Sequence, residues 1–363
     1  MNMKSIDSPK LIDKQHGLLS LSICLSLALS ACSIHGMTGD VMSDYTVKHL
    51  SPYVLGTQDL SMACEMGASM GPFLLSFERV TDRPDMAAVP TFMTAALCAE
   101  QVVWETELRA LRAERNANAS EYKDALVAQK RAHGVVALRY YNAYLRMQRL
   151  FGENCDKVKS SDEQLVLLMG MMGGLLAVQN DRASGVMVNV PTDVPRKVAR
   201  QTKCLDNQKW WGMPKALESA VWVGVPNSAP KDIPAEQLQA VVYKRLEESA
   251  AIGRKAGVRL VDSVYAFTAL ALGDDAQVKK VIGDFAQSRN QIPPAKAWRL
   301  LDETSAAQLR FLSDRYWTKD RGHRNQLELG QFWAPEPADK VDDEDEDSLL
   351  DGLDEELRAR IDS

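Results

Sequence analysis

Almost every segment of this chain carries its apolar residues with a period near 3.6, the spacing that lines them up along one face of a helix. Aromatic residues make up only 7% of the sequence while Ala, Leu and Met abound, which favours helix over sheet. Helix candidates follow one another with short breaks. The first spans residues 43–80, interrupted near Pro52 and bent at Pro72. A second runs from Asp85 to about Arg115 with Pro90 near its start, and a third from Ser120 to Phe151, closed by Gly152. Ser161-Asp162-Glu163-Gln164 reads as a capping box ahead of a fourth, residues 165–178. Later candidates cover residues 207–223, 232–256, 258–272, 274–289 and 295–318. Two-helix units with short turns and single aromatics (Tyr243, Tyr265, Phe267, Phe285, Trp298) predict an all-α fold, either a helix-pair, TPR-like α-solenoid or a helical bundle. No strict 34-residue repeat underlies the rhythm.

The fourth helix is apolar nearly all round and so belongs at the centre. Its Gly170, Gly173 and Gly174 stand among Met169, Met171 and Met172. Two readings follow: close approach of a neighbouring backbone, or small and pliable side chains lining an apolar cleft or pore. Residues 182–201 break the helical pattern, and Val190-Pro191 and Val194-Pro195 predict an extended loop there. A sub-boundary within residues 43–334 is therefore expected near 181–232.

The start of the chain has a different character. Lys4, Lys10 and Lys14 precede an apolar run over residues 17–29, and Leu29-Ser30-Ala31-Cys32 closes it with small residues and a cysteine. This resembles a bacterial lipobox, with Cys32 the lipidated first residue of the mature protein; the alternatives are a plain signal peptide or an uncleaved anchor. The run falls short of the roughly 20 apolar residues of a spanning helix. Residues 1–31 are thus expected to be a signal peptide and 32–42 a tether. Ser33 follows Cys32, which in enterobacterial-type sorting implies the outer membrane, facing the periplasm.

Cys64, Cys98, Cys155 and Cys204 remain, an even number in an oxidising compartment, which favours two disulfides over four free thiols. Three connectivities are open. An antiparallel pair of the first two helices would bring Cys64 to Cys98 and leave Cys155 for Cys204. No CxxC or HxxxH spacing points to a metal, and no cofactor is expected.

The net charge of −6 is unevenly placed: from Asp339 onward twelve acidic residues face Lys340, Arg358 and Arg360, so the tail carries −9 and the rest +3. A nearly neutral body without a basic stripe argues against nucleic acid as a partner. In the acidic tail, residues 335–363, Leu349, Leu350, Leu353, Leu357 and Ile361 recur at helical spacing, either a solubilising segment or a short amphipathic helix for a partner's groove. His16, His35, His49, His133 and His323 have no nucleophile or carboxylate at a local catalytic spacing, and no GxSxG, HExxH, P-loop or GxGxxG occurs in a fitting context, so no enzyme is expected.

The densest unusual cluster is Arg139-Tyr140-Tyr141-Asn142-Ala143-Tyr144-Leu145-Arg146. Tyr140 and Tyr144 share a helix face. They are either core aromatics or a binding wall in which Arg139 pairs with a carboxylate and Tyr140, Tyr141 and Tyr144 cover an apolar body. Trp210-Trp211 is a second candidate wall.

The order of these features resembles the TatT family, the tetratricopeptide-like lipoproteins associated with TRAP transporters. Arg131-Ala132 followed by Leu138-Arg139-Tyr140-Tyr141, and then the small-residue apolar helix over residues 168–178, carry the likeness. It covers residues 44–179. The resemblance implies an α-helical fold, assembly into trimers, and partnership with a periplasmic solute-binding protein for small organic acids or other apolar ligands. The expected function is therefore an outer-membrane-anchored periplasmic lipoprotein that binds a partner protein or small ligand in support of TRAP-type uptake. The alternative is a scaffold for an envelope complex that acts through the acidic tail.

Overall fold

A computed structural model of the chain describes residues 34–81 and 84–332. The expected signal peptide, Cys32 and the acidic tail with Leu349, Leu350, Leu353, Leu357 and Ile361 lie outside the described residues. What is described is all-helical, with no strand among the described residues. α1 (residues 34–45) passes through a π-helical turn, Thr46–Leu50, into α2 (Ser51–Leu55), where Pro52 sits in the first turn and needs no amide partner. The break falls after α2, before Asp59 caps α3 (Leu60–Leu75) by accepting from Met62 N at 2.9 Å. α4 (Pro84–Arg115) and α5 (Ala119–Phe151) form a long antiparallel pair, with Pro90 in the second turn of α4.

Two caps fall one or two residues from their expected places. Asn118, not Ser120, caps α5, because its carboxamide reaches Glu121 N at 3.1 Å. The capping box of α6 (Ser161–Ser184) is Ser160 with Glu163: Ser160 Oγ accepts from Glu163 N at 3.1 Å and Glu163 Oε2 from Ser160 N at 2.7 Å.

Residues 182–201 are not one extended loop. α6 continues to Ser184 and α7 (Val194–Gln201) begins with Pro195 at its N-terminus, where proline suits a helix. Only residues 185–193 are irregular, and the Asp181 carboxylate holds them by accepting from Val188 N and Val190 N, both at 2.8 Å. The second half follows as α8 (Met213–Gly224), α9 (Leu238–Ala256), α10 (Leu260–Ala271), α11 (Asp275–Gln291) and α12 (Arg299–Arg321). The described residues up to Gly330 fall in one compact unit that runs through 181–232.

Residues 34–42, expected as a tether, are instead helical and packed. α1 lays Gly36 and Gly39 against the end of the α3 region, where a Cβ at Gly39 would stand 2.8 Å from Thr81 and 3.0 Å from Phe77. Asp40 accepts a hydrogen bond from Thr81 Oγ1.

Neighbouring helices pack in sequence, α3 on α4, α4 on α5, α5 on α6, then α8 on α9, α9 on α10 and α10 on α11, as in a solenoid. The last helix departs from that rule. α12 returns to pack on α4 and α2. Trp104 stacks on Phe311 at 5.4 Å, Arg315 Nε donates to Glu107 at 2.7 Å, Arg115 donates to Asp320 O at 2.9 Å, and Arg324 pairs with Glu105. Val54, Ala63 and Leu300 form an apolar seam beside this closure.

Both disulfides are present: Cys64–Cys98 with Cα atoms 5.4 Å apart and Cys155–Cys204 at 5.1 Å, within the range such a bond requires. α4 and α6 are long and apolar enough to cross a membrane by length and composition, and 61% and 56% of their apolar windows are buried within the body.

A candidate binding chamber between the helices

α6 carries two stripes of different chemistry. Gly170, Gly173 and Gly174 turn toward α5. A Cβ at Gly170 would collide with Met147, one at Gly173 would lie 3.0 Å from the Tyr140 carbonyl oxygen, and one at Gly174 would lie 2.6 Å from the Tyr144 ring. These glycines let α5 and α6 approach closely, as the first reading of this helix expects. The second reading also has a place, on the other stripe. Leu165, Leu168, Met169, Met172, Leu175, Leu176, Gln179 and Arg182, at three- and four-residue spacing, line a cavity of about 400 Å³. That volume lies within the range of small-molecule sites. The stretch from Leu165 to Arg182 rises by about 25 Å along the helix, so the space is elongated.

Other helices complete the wall. α8 supplies Leu217 and Val221, α10 supplies Val264 and Phe267, and α12 supplies Leu301, Thr304 and Gln308. Among the described residues Arg182 is the single charged one lining the chamber. It is exposed and its guanidinium makes no ion pair with any described residue, beside Gln179, which is also exposed. An unpaired guanidinium next to an apolar slot suits a carboxylate whose remainder is apolar.

A polar group stands on the inner wall. Tyr140 and Gln308 line the chamber, and both hydrogen-bond Glu100, which is buried. Burial pushes the Glu100 carboxyl up to about 7, against the opposing effect of those two hydrogen bonds. Burial, with Glu100 beside it, also raises Tyr140 well above the ordinary phenol value. Glu100 Oε2 is buried without a hydrogen-bond partner, a cost that falls mainly on the ionised form.

The sequence-predicted residues divide between the chamber and the rest of the core. Tyr140 and Trp211 line the chamber. Trp211 also meets Trp210 and Trp298 edge-on, with ring centroids 5.4 and 5.0 Å away. Trp210 turns away and donates from Nε1 to Gln164 at 3.0 Å. Tyr144 is buried over Gly174, and Tyr141 stacks on it at 6.2 Å, so neither faces the chamber. Arg139 donates to the Ala95 carbonyl oxygen at 2.6 Å and ties α5 to α4, and it does not line the chamber. Arg146 pairs with Glu78 and, at 3.1 Å, with Asp85.

Arg182 falls in the segment expected to be a loop, which hid it. The signal that reveals it is the continuation of the apolar stripe Leu175, Leu176, Gln179 by one further turn. Among the described residues no group of three His, Cys, Asp or Glu side chains is placed to hold a metal ion. No family model matches the chain, and no curated protein or solved structure matches it either.

Proposed function

We propose that this chain is a periplasm-facing lipoprotein, anchored to the outer membrane through Cys32, whose helical body binds one elongated small molecule with an apolar body and a carboxylate end. The observation that carries the reading is the chamber: leucine, methionine and valine walls with one unpaired cation, Arg182, on their border. An accessory role in TRAP-type uptake fits such a protein. It would hold an organic acid near the membrane and pass it to a periplasmic solute-binding protein, as the TatT-like order of features implies.

Saturable displacement of an environment-sensitive fluorophore by dodecanoate tests this reading. Met172→Trp fills the slot and is expected to abolish displacement. Arg182→Ala removes a charge-assisted contact worth about 1.5–3 kcal/mol and is expected to weaken binding by roughly tenfold or more. Uniform, non-saturable uptake of dodecanoate by wild type and Met172→Trp alike would overturn it. Crosslinking in cells followed by co-purification of a solute-binding protein tests the partner.

A further inference from the structure

A second apolar surface lies outside the chamber, on α1. At 100° per residue, Gly36, Gly39, Ser43 and Thr46 fall together on the side that packs on the body. Ser43 and Thr46 satisfy their hydroxyls within the helix, donating to Gly39 O at 2.7 Å and Met42 O at 2.8 Å. Ile34, Met37, Val41 and Tyr45 fall on the opposite side and are 52%, 61%, 60% and 54% exposed. An ordinary surface helix places its large apolar residues inward and polar ones outward. On α1 small residues face the protein and large apolar ones face away, bordered by Asp44, whose carboxylate pairs with Lys48 at 2.8 Å.

The length of chain ahead of α1 decides what covers this face. Ile34 follows Cys32 by two residues, which reach at most about 7 Å. An acylated Cys32 would hold the start of α1 at the depth of the lipid headgroups, with no spacer to carry the helix away. Four side chains on one helix face also offer far less than the about 800 Å² per partner of a standard protein interface. We infer that Ile34, Met37, Val41 and Tyr45 lie in the lipid interface, so that α1 is a membrane-surface helix that orients the body against the bilayer. The inference rests on the Cys32 anchor of the proposed function. Acyl chains and the apolar stripe then act as two membrane contacts, the combination that stable attachment requires. Tyr45, amphipathic and next to Lys48 and His49 at the far end of the stripe, suits the headgroup level.

Full-length protein carrying Val41→Cys, processed in the cell, labelled with a nitrobenzoxadiazole fluorophore and reconstituted in phosphatidylethanolamine–phosphatidylglycerol vesicles, provides the test. Val127→Cys, exposed on α5, serves as the reference. Mass spectrometry of the N-terminal peptide reads acylation of Cys32 separately. The expected result is an acylated Cys32, with doxyl-labelled lipid quenching the probe at position 41 at least threefold more than the probe at 127. Acylation with equal quenching at the two positions would overturn the inference and leave the anchor standing. An unacylated Cys32 would remove the anchor and the inference with it. Shielding of position 41 that grows with protein concentration in the absence of vesicles would assign the face to a second copy and overturn the inference. Photoactivatable lipid added to the unsubstituted chain repeats the test without a mutation: adducts within residues 34–45 support it, and adducts elsewhere only overturn it.

Discussion

Between α3 and the end of α7 the helices are held by two covalent bonds, Cys64–Cys98 joining α3 to α4 and Cys155–Cys204 joining the turn after α5 to the turn after α7, and by small residues that let backbones approach. From α9 to α12 there is no cysteine, and the fixed points are buried charges. Arg259 is wholly buried. It donates to Asp302 at 2.8 Å, to Ser288 Oγ at 2.9 Å and to the Ser288 carbonyl oxygen at 3.0 Å, which ties α10, α11 and α12 together. Asp302 also accepts from the Arg259 amide at 3.1 Å and stands 3.1 Å from Arg289 Nε. Arg254 pairs with buried Asp262 at 2.5 Å. A disulfide acts mainly by limiting the unfolded chain, whereas a buried ion pair repays its own desolvation only when its geometry is kept. The first region is thus constrained largely through its unfolded chain, and the second largely through its native geometry. The chamber is built from both, with α6 from one and α10 and α12 from the other.

The buried charges of the second region converge on Asp302. Asp302→Ala leaves Arg259 charged, buried and unpaired, and a loss of about 5 kcal/mol is expected in urea unfolding, at the upper end for such a deletion because the carboxylate serves two arginines. A loss below 1 kcal/mol would remove the contrast between the regions. The joint Cys64→Ser and Cys98→Ser replacement opens a 34-residue loop and is expected to cost about 4 kcal/mol. Amide exchange should then rise in α3 and α4 and stay unchanged in α10 to α12; a uniform rise would show that the regions do not differ.

Glu100, on α4 in the first region, is a buried carboxyl whose hydrogen-bond partners, Tyr140 and Gln308, carry no positive charge. An unfolded glutamate titrates near 4.5 and the folded one near 7, so between these values the folded state keeps a proton that the unfolded state has lost. Stability from this group is fully present below about 4.5, falls as pH rises, and levels off above 7. Glu100→Gln is expected to abolish that slope and to be more stable at pH 8 by about 3 kcal/mol. Urea midpoints between pH 4.5 and 8 read the effect, and a variant with the wild-type slope would place the titration elsewhere.

Much of the helical order is written locally. Asp274 caps α11 by accepting from Gln277 N at 3.0 Å, Gly152 ends α5, and Cys64 and Cys98 meet because successive helices run antiparallel. What the sequence hides depends on orientation. Tyr140 and Tyr144 share a face, yet α6 crosses α5 so that one meets the chamber and the other meets Gly174. Pro195 reads as a helix breaker unless it is known to sit in a first turn, and that ambiguity concealed both α7 and Arg182. The return of α12 is also invisible from spacing, because its polar partners on α4, Glu105 and Glu107, look like solvated helix residues.

That return has a bearing on how the protein comes into being. Arg315 lies 208 positions beyond Glu107, so the clasp is among the most non-local contacts in the chain. Contacts of that separation are the slowest to form, since the loop between them must first be ordered. Helices α3 to α6 can pair as soon as they emerge, but the chamber lacks a wall until α12 arrives. A folding intermediate would thus be helical over α3 to α6 while the cavity was still open to one side, and closing that wall would come last.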